Sequence, residues 1–264
     1  MSEKLLSGKK ILVTGVLTES SIAYGVAKLA QEHGAEVVLT GFGRGFGITA
    51  AMAAKLPVAC DVLELDVTKP EHLDAVADAL DQRWGRLDGV LHSVAFAPPS
   101  ALGGGFLTAD WAEVATALHI STYSFAAFGR VFGPLLAKAE HGSLVGLDFD
   151  ASLAWPGYDW MGVAKAGLES CCRYLAQALG QQGTRVNLVA CGPLRTLAAR
   201  GIGGFDQLDQ VWSNRAPLGW DHTDTEPVAR VVCALLSAWM PAVTGEILHV
   251  DGGAHAVGAA PERS

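Results

Sequence analysis

Short apolar runs alternate along the chain with stretches whose apolar positions recur every three or four residues, and this alternation already fixes the class of fold. The runs at 9–14, 35–40, 61–65, 87–93, 143–147, 184–190 and 246–250 are rich in Val, Leu and Ile. They read as strands covered on both faces. Helical spacing fills the intervals at about 22–33, 70–84, 108–118, 121–138, 161–180 and 227–239. Ser20 or Ser21 can cap the first helix, Gly34 can close it, and Pro70 suits a first turn. Strand and helix alternate with no linker and no internal repeat. The expectation is one α/β domain over 1–264: a Rossmann fold with a doubly wound, seven-stranded parallel sheet and helices on both faces. Two segments fit neither period. The run 41–47, Gly-Phe-Gly-Arg-Gly-Phe-Gly, reads as a glycine loop, and 97–106 holds too much Pro and Gly for regular structure. The second follows a strand's carboxyl end, where this fold keeps its ligands, so it is expected to form part of an active-site rim.

Composition narrows the class. The chain has 264 residues, 50% hydrophobic and 17% charged, with a net charge of −8. The acidic balance argues against a nucleic-acid partner. No apolar run is long enough to span a bilayer, and the first residues lack the apolar core of a secretion signal, so a cytoplasmic protein is expected. Five cysteines form no CxxC pair and read as buried free thiols of a reducing compartment. The histidines show no ligand spacing, so no metal site is expected.

Chemistry enters at the strand ends. Gly15 follows the first strand at once and leads through 16–21 into a helix, the opening unit of a dinucleotide-binding fold with pyrophosphate at the helix N-terminus. The usual GxGxxG is absent, Ser21 standing where a later glycine would be, and a plain strand–turn–helix would look similar. No acid follows the second strand to take a ribose hydroxyl. Phe42 can instead stack on adenine, while Arg44 keeps a 2′-phosphate in play. Asp66, followed by Val67, can accept from the adenine amine, and the small residues around Ser93, Val94 and Ala95 let backbone approach a ribose. Tyr158 and Lys165, seven residues apart, fall on one helix face at about 100° per residue. A phenol there can donate to a carbonyl oxygen that gathers charge, and the ammonium can hold a ribose and bias the phenol's titration. The plain alternative is a packed tyrosine and a solvated lysine.

Gly15-x5-Ser21-Ile22-Ala23, Asp66-Val67, Ser93-Val-Ala-Phe96, Tyr158-x6-Lys165 and Gly192-Pro-Leu-Arg-Thr196 together resemble the short-chain dehydrogenase/reductase superfamily. The long tyrosine-to-lysine spacing is similar to its divergent branch, the FabI-type enoyl-acyl-carrier-protein reductases. Val145 stands where typical ketoreductases carry serine. Asp148-Phe149 and Tyr158-Asp-Trp-Met161 look most like the mycobacterial members, although the connection from Thr196 to Ala216 is shorter than theirs, which argues against specialisation for very long acyl chains.

The resemblance implies an NADH-dependent enzyme, NADPH being the lesser alternative, that reduces trans-2-enoyl thioesters on an acyl carrier protein. It implies catalytic roles for Tyr158, Lys165 and Phe149, with Tyr158 serving the enolate oxygen and Lys165 the nicotinamide ribose. Gly15, Ser21, Ile22, Phe42, Asp66, Val67, Ser93, Val94 and Ala95 would bind cofactor with Lys165, Leu194 and Thr196. Phe96, Phe149, Tyr158, Met161, Ala198, Ile202 and Phe205 would wall the substrate, core packing being the alternative for Met161. A lid is expected at about 195–215, with Arg200 and then Arg195 as docking cations for the carrier, no acid following them until Asp206. A homotetramer is implied, helices 122–138 and 165–180 forming a dimer face. The rivals are a carbonyl reductase on the same scaffold and a nonenzymatic NAD-sensing protein.

Overall fold

The computed structural model describes residues 4–201 and 205–258. Among these, seven strands build one sheet: β1 (Lys10–Thr14), β2 (Glu36–Gly41), β3 (Val62–Glu64), β4 (Gly89–His92), β5 (Ser143–Asp148), β6 (Arg185–Cys191) and β7 (Ile247–Val250). Their spatial order is β3-β2-β1-β4-β5-β6-β7. Every neighbouring pair is parallel. All carboxyl ends therefore open on one edge, and the winding reverses between β1 and β4, where such sheets bind ligands.

Successive side chains point oppositely, so β1, β2, β4, β5 and β6, covered by helices, are largely buried on both faces. The edge strands β3 and β7 are half-buried at most, short of the two-sided cover expected for all seven. Leu12, Val38, Val90 and Leu144 pack with α3 (Pro70–Trp84), α5 (Ser124–Leu136) and α6 (Asp159–Gly180) through Leu73, Leu80, Phe128, Phe132 and Leu168. Ile11, Val13, Val37, Leu39 and Val145 face the other way. They meet α1 (Ile22–Glu32), α2 (Gly43–Ala53) and α8 (Glu226–Leu236) through Val26, Ala27, Ala53, Val232 and Leu236. This is the doubly wound sheet that the alternation predicts. A third cluster gathers residues that follow the strand ends, among them Phe149, Tyr158, Met161, Leu208 and Trp212.

Several elements differ from the sequence expectation. The run 41–47 is no loop. Phe42 is extended and α2 begins at Gly43, because the residues from Ile48 to Ala53 propagate helix behind the glycines. The helix expected from 108 starts as α4 (Trp111–Leu118), where Asp110 and Glu113 form a reciprocal capping box. A π-helical turn, His119–Tyr123, then joins α4 to α5, so the two predicted helices run on as one. Within 97–106 there is one 3-10 turn, Pro99–Ala101. The described residues of the stretch 195–215 include a 3-10 turn at Ala198–Gly201 and α7 (Phe205–Arg215), whose Leu208 and Trp212 are buried. The last helix ends at Leu236, not 239, and Ser237 turns the chain with its hydroxyl on the Ala234 carbonyl at 2.7 Å.

Candidate active site

The nucleotide end forms where β1 and β4 finish side by side. Thr14 Oγ1 donates to the Leu91 carbonyl at 3.0 Å and accepts from the Ser93 amide at 3.0 Å. Gly15 has φ +84°, and a Cβ there would run into the Ser93 carbonyl oxygen. Glycine is thus required for the chain after β1 to pass this close to Ser93 after β4, a steric reason that adds to any phosphate approach. Ser21 is the N-cap of α1, yet its hydroxyl does not cap the helix. It accepts instead from the amides of Leu17 at 3.2 Å and Thr18 at 3.0 Å, which fixes the loop before the helix. Half-buried Ile22 opens α1, whose N-terminus offers amide donors and a positive dipole end toward this edge.

Thr49 Oγ1 donates to the Val16 carbonyl at 2.7 Å and fastens α2 behind the same loop. Phe42, 54% exposed, presents its ring at the carboxyl end of β2. Asp66 uses Oδ1 locally, accepting from the Thr68 amide at 3.0 Å and hydroxyl at 2.7 Å. The Val67 side chain belongs to the core, so only its backbone is placed for a ligand. Ser93 and Val94 are half-buried and Ala95 and Phe96 exposed. The Phe96 amide donates to Ser121 Oγ, whose hydroxyl donates back to the Phe96 carbonyl, both at 2.9 Å. A glycine at a close backbone approach, a free-standing helix N-terminus and an exposed aromatic along one edge fit a dinucleotide.

The chemical end lies where β5 and β6 finish. Phe149 follows β5, and its ring centroid stands 5.0 Å from Tyr158, 5.4 Å from Trp212 and 5.8 Å from Trp155. Trp155 and Trp212 are 4.8 Å apart, and Trp155 Nε1 donates to the Asp150 carbonyl at 2.7 Å. Met161 is buried in the same cluster. Burial above all, then the charges of Asp148 and Cys191, push the Tyr158 phenol well above its ordinary value. Lys165, which the sequence suggests can bias this titration, is not among those influences, and the phenol stays a neutral donor because it is enclosed near a carboxylate. Lys165, also buried, donates to the Leu147 carbonyl at 2.8 Å and lies 4.0 Å from Asp148 Oδ1. It is not the solvated surface lysine of the plain alternative.

The far wall descends from β6. Leu194 is buried against the first core cluster, and Thr196 Oγ1 accepts from the Ala199 amide at 3.3 Å. Ala198 is exposed, and Phe205 begins α7 half-buried. Arg195 lies over the Phe205 ring at 6.0 Å, and its Nη2 is 3.6 Å from Asp209 Oδ2. An acid therefore does engage Arg195, one turn beyond the Asp206 expected from sequence. Ile202 and the Arg200 side chain lie outside the described residues.

The rim 97–106 is tied to the start of α6. The Gly103 amide donates to the Gly157 carbonyl at 2.9 Å and the Gly104 amide to Asp159 Oδ2 at 2.6 Å. Trp160 Nε1 donates to the Phe106 carbonyl at 2.9 Å, with the two rings stacked. Asp159 itself has φ +42°, an uncommon left-handed residue directly after Tyr158.

Sequence reasoning missed Trp155 and Trp212 as site residues. Trp155 lies three residues before Tyr158, and Trp212 stands four after Leu208 on one helix face, so a signal was present for each. The five cysteines are free thiols, and burial pushes Cys191 up to about 12. Among the described residues no group of three or more His, Cys, Asp or Glu is placed to hold a metal ion.

Known proteins carry the same pattern. The family model described as enoyl-(acyl carrier protein) reductase matches residues 15–255. The enoyl-[acyl-carrier-protein] reductase [NADH] of Mycolicibacterium smegmatis is 46% identical over 264 residues, covering 95% of this chain and 97% of that protein. That of Mycobacterium avium is 46% identical over 263 residues with the same coverage. The FabI enzyme of Aquifex aeolicus is 38% identical over 266 residues, covering 96% of this chain and 94% of that protein. On its match over nearly the whole length, and on a parallel sheet whose edge gathers Gly15, Ser93, Tyr158 and Lys165, the chain belongs to the enoyl-(acyl carrier protein) reductase family.

Proposed function

We propose that this protein catalyses NADH-dependent reduction of the 2,3 double bond of trans-2-enoyl thioesters on an acyl carrier protein, in fatty acid synthesis. The observation that carries the reading is a buried, neutral Tyr158 phenol at the head of α6 with buried Lys165 two turns on, beside an aromatic chamber at the carboxyl edge of the sheet. NADH supplies the hydride when bound. Gly15, Ser21, Ile22, Ser93, Val94 and Ala95 hold the dinucleotide by backbone approach, Phe42 stacks on adenine, and Asp66 with Val67 borders the adenine amine. Leu194 and Thr196 close the cofactor site, and Lys165 donates to the nicotinamide ribose.

Tyr158 donates its hydrogen bond to the thioester oxygen as charge moves there, and C2 then takes a proton from Tyr158 or from water. A donor that needs no reorganisation in a water-poor chamber stabilises such an oxygen strongly. Phe149 limits the tilt of the phenol and, with Phe96, Met161, Ala198, Ile202 and Phe205, walls the acyl chain. The cover is 195–215, anchored through Leu208 and Trp212. Arg200 docks the acidic carrier. The protein works as a cytoplasmic homotetramer, for which exposed Tyr123 and Tyr174 on the α5 and α6 side offer apolar surface.

Initial rates with NADH or NADPH on crotonyl and acetoacetyl thioesters test the reading. Crotonyl reduction with NADH, and none of the ketone, is expected. Preferential ketone reduction would make it a carbonyl reductase, and NADH binding without turnover of either would make it a sensor. A ladder of longer enoyl thioesters then sets the acyl preference.

A further inference from the structure

At the carboxyl end of β5 the Asp148 side chain is 0% exposed, and neither carboxylate oxygen has a hydrogen-bond partner among the described residues. A buried carboxylate without donors is costly, so a fold that keeps one calls for an explanation in the neighbouring groups. The nearest cation is Lys165 Nζ at 4.0 Å, which spends one N–H on the Leu147 carbonyl. Burial favours loss of the Lys165 proton, and the Asp148 charge opposes that loss. The same charge raises the Tyr158 phenol. Burial first and this carboxylate second keep the phenol protonated, whereas at Lys165 the carboxylate only opposes the loss that burial favours.

We propose that Asp148 is a positioning residue whose charge holds the Lys165 ammonium aimed at the cofactor ribose, so that NADH affinity follows the charge state of Asp148. The proposal rests on the reading of Lys165 as the ribose ligand. Lys165, Glu169 and Cys172 of α6, Tyr158 at its head, Cys191 of β6 and Asp150 just beyond β5 are the titratable groups within electrostatic reach of the carboxyl. The Phe149 amide favours the charged form of the carboxyl, and His92 of β4 feels Lys165. Burial holds His92 down to about 3 and Cys191 up to about 12, so neither changes charge near neutrality. Burial lifts the Asp148 carboxyl to about 7, against the lowering field of Lys165. Asp148 thus gains or loses its charge within the neutral range, and the proposal gives that step a consequence for binding.

The test is equilibrium fluorescence titration of NADH into the full-length wild type, Asp148→Asn, Lys165→Met and the double variant across the neutral pH range. Wild-type affinity is expected to weaken as pH falls through about 7. Asp148→Asn is expected to bind about tenfold more weakly at alkaline pH, equivalent to about 1.4 kcal/mol, and to lose the pH dependence. The double variant should bind no worse than Lys165→Met alone. Equal binding by Asp148→Asn would show a carboxylate without effect on the cofactor and tighter binding one that repels it, and either would overturn the proposal. If Asp148→Asn does not fold, the wild-type profile decides: a flat one overturns it. Unchanged binding by Lys165→Met would instead remove Lys165 from the ribose, a failure of the underlying reading and recognisably separate from silence in Asp148→Asn alone.

Discussion

The Phe149 ring leans on Tyr158 with centroids 5.0 Å apart and planes inclined by 57°. Phe149 is in turn backed by Trp155 and Trp212. The direction of the phenol hydroxyl is therefore set by ring packing, and removing the hydroxyl leaves that packing in place.

Tyr158→Phe should lower turnover about a hundredfold or more, the loss of one oxyanion donor costing about 2.7–4 kcal/mol, with NADH affinity unchanged. Steady-state rates beside NADH titrations check this. Because the phenol is pushed upward, chiefly by burial, ionisation of Tyr158 should produce no alkaline loss of rate up to its ordinary value of 10.0.

Trp212 is 1% exposed and fills the space between Phe149 and Trp155, so Trp212→Ala should destabilise the fold by about 3–5 kcal/mol. Its Nε1 is buried without a hydrogen-bond partner among the described residues. Trp212→Phe keeps a ring and discards that donor, and should cost less than about 1.5 kcal/mol. Chemical denaturation of both variants ranks them.

Gly15→Ala combines a φ of +84° with a collision against the Ser93 carbonyl. The conformation alone costs about 1–2 kcal/mol, and the collision pushes the ends of β1 and β4 apart. Lower stability and weaker NADH binding should appear together, measured by thermal melting and by titration. A variant that melts lower yet binds NADH normally would separate the close approach from the cofactor site.

Asp148 also makes stability depend on pH. Its folded carboxyl stands at about 7 against an ordinary 3.8, so above about 7 it is charged in both states and the folded state carries the full desolvation penalty. As pH falls from 7 toward 3.8, the folded state takes up its proton first and the penalty fades. Asp148→Asn should therefore exceed wild type in stability most at about pH 8, with the advantage vanishing near pH 4. Comparing the two proteins at each pH cancels buried His92, whose proton uptake on unfolding works in the opposite direction.

Much of the sheet was legible, because strands buried on both faces leave uninterrupted Val and Leu runs and the helices between them keep their period. The spacing of Tyr158 and Lys165 was legible as a pattern, but its geometry was not. Tyr158 precedes α6 as its N-cap and Asp159 is left-handed, so helical rotation alone does not bring the two side chains to one face. The α2 helix was hidden by Gly43, Gly45 and Gly47, poor helix formers whose cost the segment from Ile48 to Ala53 offsets. The α7 helix carries Phe205, Leu208, Val211 and Trp212 among polar residues, too narrow a stripe to separate from a loop. The state of Asp148 was illegible in principle. It depends on enclosure by β6 and α6, contacts between positions far apart in sequence.

The bonds from Gly103, Gly104 and Trp160 weld the rim at 97–106 to the head of α6, on which Tyr158 sits. One side of the chamber is consequently a doorpost, unable to swing without dislodging the proton donor it frames. The opposite jamb is joined to the phenol differently, through Trp212 of α7 behind Phe149. Substitutions at Thr196 and Ala198, ahead of that helix, leave both supports of the hydroxyl in place.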